Sequence, residues 1–164
     1  MNRMSLGFAL FLVCTRVLAG EPQEGLSTRG QDGKLVDANT GGTYTPPPGS
    51  GERGAIMDGI RGLIFAELRQ PVIFKVEWLR VRGGYAFLKA QPRRPDGGPI
   101  DFRKTKFREA AAEGMFDGGV LALLKKNVTR WEAVDWTLGA TDLPYGDWWK
   151  KYHAPKSIFD YTEP

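Results

Sequence analysis

Two glycines decide much of what this chain can become. Gly83 and Gly84 stand between VIFKVEWLRV (72–81) and YAFLKAQ (85–91), runs rich in β-branched and aromatic residues. A two-residue hairpin turn asks for positive φ at both central positions, and glycine meets that demand without a steric cost. The spacing predicts an antiparallel hairpin. MFDGGVLALLKK (115–126) and RWEAVDWTLG (130–139) read as a second pair of strands, turning at Asn127-Val128-Thr129. That tripeptide matches a glycosylation sequon, but the chain opens on a bacterial-looking leader, so the turn is the better reading. The first strand changes phase. Phe74, Val76 and Trp78 alternate, then Leu79 and Val81 take the other parity. A bulge near Trp78, or a strand covered on both faces, would produce that pattern.

Before the first hairpin, residues 55–68 carry a helical period. Ile56, Ile60, Leu63, Ile64 and Leu68 make one apolar face, and Pro71 ends the element. Ala55, Gly59, Gly62 and Ala66 form a neighbouring stripe of small residues. Each internal glycine costs about 1 kcal/mol of helix propensity, so the stripe implies a close approach to the sheet. Between the hairpins lies a long polar connection with three prolines and a short helical turn expected around 108–113. The order helix, hairpin, loop, hairpin, short helix predicts an α+β domain. In it an N-terminal helix packs on a curved four-stranded antiparallel sheet, and a short aromatic helix closes the chain, an arrangement of cystatin-like or NTF2-like type.

The first 19 residues read as a secretory signal peptide. Arg3 gives a positive start, 6–14 is a short apolar run, and Val17-Leu18-Ala19 suits cleavage before Gly20. Export to a bacterial periplasm is the expectation. The run is too short for a permanent membrane anchor. Cys14 is the only cysteine and falls inside that signal, so the processed chain is expected to be disulfide-free. Residues 20–52 are dominated by Gly, Pro, Ser, Thr and charge, and are expected to form a flexible tail. A single folded domain is expected over 53–161. Removing Arg3 and Arg16 from the 23 Lys and Arg leaves 21 against 19 acidic residues. That near-neutral balance, with no basic stripe, gives no electrostatic footprint for nucleic acid.

Few residues suggest chemistry. Glu67 falls within the apolar face of the first helix, where burial would favour its neutral form, as in a general acid or base; one residue from the helix end, it could instead reach solvent. Asp135 lies between Val134 and Trp136 on the last strand, where blurred alternation leaves its direction open. These two are the catalytic candidates. Asp117, before Gly118-Gly119, reads as a turn residue. His153 is the only histidine. One histidine cannot build a His-rich metal site, and Ser27, Ser50 and Ser157 lie in no nucleophile elbow. At the end of the last helix His153 suits the helix dipole better. RPDGGP and DGGV lack the spacing of a phosphate loop and read as turns. No cofactor or metal is expected. Arg93, Arg94, Arg103, Lys104 and Lys106 make the long connection basic. It is expected to be a solvated loop or, alternatively, a contact for an anionic partner such as a cell-wall polymer or lipid head group.

The stretch TDLPYGDWWKKYHAP (141–155) offers the binding candidates. Tyr145, Trp148, Trp149 and Tyr152 share one face of a helix, with Asp147, Lys150 and Lys151 toward water. Thr141 or Asp142 would cap it, Pro144 suits the first turn, and Ala154-Pro155 stops it. So short a helix must dock to persist, so the stripe is expected to pack, with any exposed part left to a ligand.

LRVRGGYAFLKAQPRRPDGGPIDF, MFDGGVLALLKK and WEAVDWTLGATDLPYGDWWKKYHAP together resemble a family of small secreted proteins of proteobacterial genomes. In that family an Arg-Val-x-Gly-x-x-Ala-Phe hairpin, a Pro-rich loop and a Gly-x-Thr-Asp before a Trp-bearing helix recur behind a signal peptide. The resemblance spans nearly all the folded part and implies secretion, but no activity and no functional residue. Three functions fit the sequence. The first is a non-enzymatic binding or accessory module of the cell envelope. The second is a small hydrolase or isomerase using Glu67 or Asp135. The third is an inhibitor or interaction module that presents its long loop.

Overall fold

The computed structural model describes residues 41–161. The expected signal peptide, Cys14 and most of the expected tail lie outside them. The architecture is α+β. Helix α1 (Gly51–Leu68) is followed by strands β1 (Ile73–Arg82) and β2 (Tyr85–Arg93), a 3-10 turn (Phe102–Lys104) and helix α2 (Arg108–Ala112). Strands β3 (Val120–Asn127) and β4 (Arg130–Leu138), helix α3 (Trp148–Lys151) and a 3-10 turn (Lys156–Ile158) complete the chain. The strands form one open antiparallel sheet in the order β1-β2-β3-β4. Gly83 and Gly84 turn the first hairpin with φ of 57° and 73°. Among the described residues no helix is long and apolar enough to cross a membrane.

Helix α1 begins at Ser50, whose hydroxyl accepts a hydrogen bond from the Arg53 amide. It ends on left-handed Arg69 (φ 55°), whose N–H donates to the Phe65 carbonyl. Ile56, Ile60, Ile64 and Leu68 are fully buried against the sheet, with Met57 beside them. Leu63, expected inside, is 39% exposed at the rim. The small-residue stripe divides as well. A Cβ on Gly59 would stand 2.6 Å from the Trp131 carbonyl oxygen, so the helix meets β4 backbone to backbone there. Gly62 and Ala66 face water instead.

Both outer strands carry a bulge, and the bulges decide which way their side chains face. Val76 pairs with Ala90 and Trp78 with the next residue, Lys89, leaving Glu77 as the extra residue. Phe74 and Val76 before it, and Leu79 and Val81 after it, therefore all face α1. Trp78 turns to the opposite face. Both readings of the phase change hold, because the sheet is also covered on both sides. On β4, Asp135 pairs with Leu123 and Ala133 with Leu124, so Val134 is extra. Trp131 and Ala133 before it and Trp136 and Leu138 after it pack on the α1 side.

The second face is roofed by the C-terminal segment. Tyr145, Trp148, Ala154, Ile158 and Phe159 pack on Phe87 and Leu123. Aromatic polar atoms tie its backbone down. Trp78 Nε1 donates to the Ile158 carbonyl at 2.8 Å, and the Tyr85 hydroxyl to the Tyr152 carbonyl at 2.9 Å. The Tyr145 hydroxyl donates to the Asp160 carbonyl at 2.9 Å. The sheet is thus the middle of three layers.

Residues 43–52, expected to belong to the flexible tail, are built into the fold. Tyr44 exchanges two backbone hydrogen bonds with Val81 at the free edge of β1. Pro46 is fully buried and its carbonyl accepts from the Arg53 guanidinium at 3.0 Å. Gly51 and Glu52 already belong to α1. Composition suggests a linker because it counts residue types. One buried proline and one bridge are enough to anchor the stretch.

Candidate functional site

The two carboxylates singled out in the sequence are both engaged by lysines. Glu67 lies at the edge of the α1 apolar face, half-buried, and pairs with the Lys106 ammonium. It meets a cation from the long connection rather than an apolar enclosure, because that connection folds back over the end of α1. The bulge at Val134 turns Asp135 away from α1, toward the C-terminal segment. Its Oδ2 accepts from the Tyr152 hydroxyl at 2.7 Å and from Lys151 Nζ at 3.0 Å. Its Oδ1 accepts from the Trp136 amide. Lys151 is exposed, as expected, and reaches Asp135 from the solvent side.

Partial burial pushes the Asp135 carboxyl up, but the hydrogen bonds from Tyr152 and Lys151 outweigh it and hold the group below the usual carboxylate range. The folded chain therefore binds this proton less readily than the unfolded chain. The stabilisation is present above the unfolded value of about 3.9 and is lost as pH falls through the folded one. Asp135→Asn is expected to narrow its stability deficit relative to the parent as pH drops from 7 to 3. Denaturant unfolding of both proteins across that range checks it. A deficit independent of pH would contradict the pairing.

The aromatic stripe is split. Tyr145 and Trp148 are buried at 3% and 4% exposure, and Tyr152 straps β4 to the roof. Trp149 is 37% exposed, with the Lys156 ammonium 5.7 Å from its ring centre. The expected short helix is shorter still, the four residues of α3, and neither Thr141 nor Asp142 caps it. Asp147 stands at its start without a side-chain cap bond. Residues 144–147 are a turn in which the Trp148 amide donates to the Tyr145 carbonyl. His153 follows α3, exposed and with φ 53°. The Ser157 hydroxyl engages Thr43 and Arg82 rather than His153. Asp117 accepts from the Gly119 amide at 2.7 Å and so makes the expected turn. Among the described residues no group of three or more His, Cys, Asp or Glu is arranged to hold a metal.

A cleft of about 500 Å³ opens instead in the connection between β2 and β3. Its charged lining is Arg94, Arg103 and Arg108 against the single carboxylate of Asp101. Pro99, Ile100, Phe102, Ala111 and Ala112 supply the apolar remainder. The RPDGGP turn folds Arg94 back, with the Arg94 amide donating to the Gly98 carbonyl and the Gly97 amide to the Arg94 carbonyl. Gln70 clamps the Asp101 backbone from the end of α1, donating to its carbonyl at 3.0 Å and accepting from its amide at 3.2 Å. Phe116 stacks on Phe107 and meets Phe102 edge-on, which fixes the far wall.

The arginines are not equivalent. Arg103 is locked to Asp101 by two hydrogen bonds, at 2.9 and 3.2 Å, and holds that carboxyl below its ordinary range. Arg94 makes one contact with Asp96 at 3.3 Å. Arg108 is 3.6 Å from Glu109, beyond hydrogen-bond reach. The sequence marks Arg94 and Arg103 as part of a basic loop but does not mark Arg108. Arg93 and Lys106 of that loop go elsewhere, to the sheet and to Glu67. Only the fold gathers these three. No protein-family profile, curated protein or solved structure matches this chain.

Proposed function

We propose that this chain is a non-enzymatic binding module exported to the bacterial cell envelope, and that its ligand carries a negative charge. The observation that carries the reading is the cleft lined by three guanidinium groups against one carboxylate. Its volume of about 500 Å³ is that of small-molecule sites, which run from about 300 to 1,000 Å³. Glu67 and Asp135 are each paired with a lysine and neither lines the cleft, which supports binding there over acid–base catalysis by these two carboxylates. Export rests on the charged start, apolar run and small-residue cleavage site over 1–19.

Two measurements test this. Protein expressed in a bacterial host is expected in the periplasmic fraction with its new N-terminus at Gly20. Recovery from the cytoplasm at full mass removes the export half. Addition of sodium phosphate is then expected to shift backbone amide resonances at Arg94, Ile100, Phe102 and Arg108, and added sodium chloride to reverse the shifts. Unmoved or scattered resonances count against the anion site.

A further inference from the structure

Resting on that reading, we infer that the cleft takes a freely dissolved amphiphile: one phosphate or carboxylate group joined to an apolar body. Charge and lining each contribute half of the inference. Arg103 is held by Asp101 through its Nε and one terminal nitrogen, and Asp101 offsets one of the three positive charges. That leaves Arg94 and Arg108, whose ion-pair contacts among the described residues are a single one at 3.3 Å and a loose one at 3.6 Å. A guanidinium fork matches the paired oxygens of a carboxylate or phosphate. Two such forks suit one anionic head better than a polyanion.

The rest of the lining has nothing polar to offer a sugar or a peptide backbone from its side chains. Ile100 is 6% exposed and packs into the core beneath the α1 face of the sheet, with Phe102 alongside. Ala111 and Ala112 add methyl groups from α2. An alkyl or aryl body would cover these groups while its head meets the arginines.

The same anionic chemistry occurs on membrane lipids, and the lining argues against that source. A surface that seats on a bilayer pushes large apolar side chains into it beside its basic residues. Leu63, Phe65, Met115, Leu143 and Trp149 are exposed large apolar side chains, and neither they nor Tyr44, Ile73, Val128 or Val134 line the cleft. The ligand is therefore one that enters singly from solution.

Calorimetric titration of the exported protein with inorganic phosphate, then with ethyl, butyl, hexyl and octyl phosphate below their micelle concentrations, tests the inference. Affinity is expected to rise about three- to fourfold for each methylene that enters the cleft, then level off once it is filled. Arg108→Ala and Arg94→Ala should each weaken hexyl phosphate about tenfold or more, and Arg108→Lys should recover part of the loss. Both arginines are solvent-accessible, so the variants are expected to fold, and circular dichroism verifies it. Equal affinity for inorganic and octyl phosphate overturns the amphiphile and leaves the anion site standing. No binding of any phosphate, dissolved or in vesicles, removes both. Arginine-dependent binding to phosphatidylglycerol vesicles, without binding to monomeric alkyl phosphates, overturns the dissolved source in favour of a membrane.

Discussion

Replacing Trp148 by alanine is expected to lower the unfolding free energy by about 3–5 kcal/mol, as for other large aromatics removed from cores. Trp148 is 4% exposed and meets Phe87 and Tyr145 edge-on, at ring-centre distances of 6.4 and 6.3 Å. Its removal takes the centre out of the roof over the second sheet face. The roof's own secondary structure adds little to that packing: α3 is one turn long, and such a helix has no stability of its own. Trp149→Ala, one residue on, is expected to cost no more than about 1 kcal/mol, because that ring is largely at the surface. Chemical denaturation of both variants checks the contrast. Similar losses in the two, or a small loss at Trp148, would contradict the packing described. The parent midpoint should fall sharply for one and barely for the other, with unchanged slope.

Gly139→Ala is expected to destabilise the fold by about 2–4 kcal/mol, combining left-handed strain with overpacking. Gly139 has φ 75° just after β4, and its amide donates to the Gly119 carbonyl at 2.7 Å. A Cβ there would overlap the ring of Phe116. That ring cannot simply swing away, because Phe107 stacks on it at 4.5 Å and Phe102 meets it edge-on at 5.1 Å. Phe102, which this ring supports, lines the arginine cleft, so the variant should also weaken anion binding. Urea unfolding gives the first effect, and phosphate titration under folding conditions the second. A loss below about 1 kcal/mol would mean that the aromatic cluster yields more easily than its contacts imply.

Pattern and position explain what was legible beforehand. Gly83-Gly84 announces its hairpin because local sterics alone call for glycine at that turn. The switch of parity around Trp78 announces a bulge because side chains on a strand alternate with period two, and an added residue must invert them. The same event at Val134 was unreadable. Val, Trp and Ala crowd both sides of Asp135, since both faces of the sheet are covered, and alternation carries no direction where both faces are apolar. Glu67 stays open between enclosure and solvent in the sequence because the helical period assigns a face but not its edge, and the Lys106 that meets it is distant in sequence. The helical spacing of Tyr145, Trp148, Trp149 and Tyr152 was real. It assumed one continuous helix, whereas the chain turns at 144–147 and lets Trp149 leave the core.

Element order, antiparallel pairing and most of the aromatic residues that pack the end of the chain are written in local sequence. Those follow from turn sterics and from side-chain periodicity, which act over a few residues. Long-range packing covers the sheet on both faces and draws residues 43–52 into the fold. It alone gathers Arg94, Arg103 and Arg108 around one cleft. These arginines come from a tight turn, a 3-10 turn and a separate helix. Their meeting depends on the Gln70 clamp and the Phe102, Phe107 and Phe116 stack, contacts between residues far apart that no local pattern encodes.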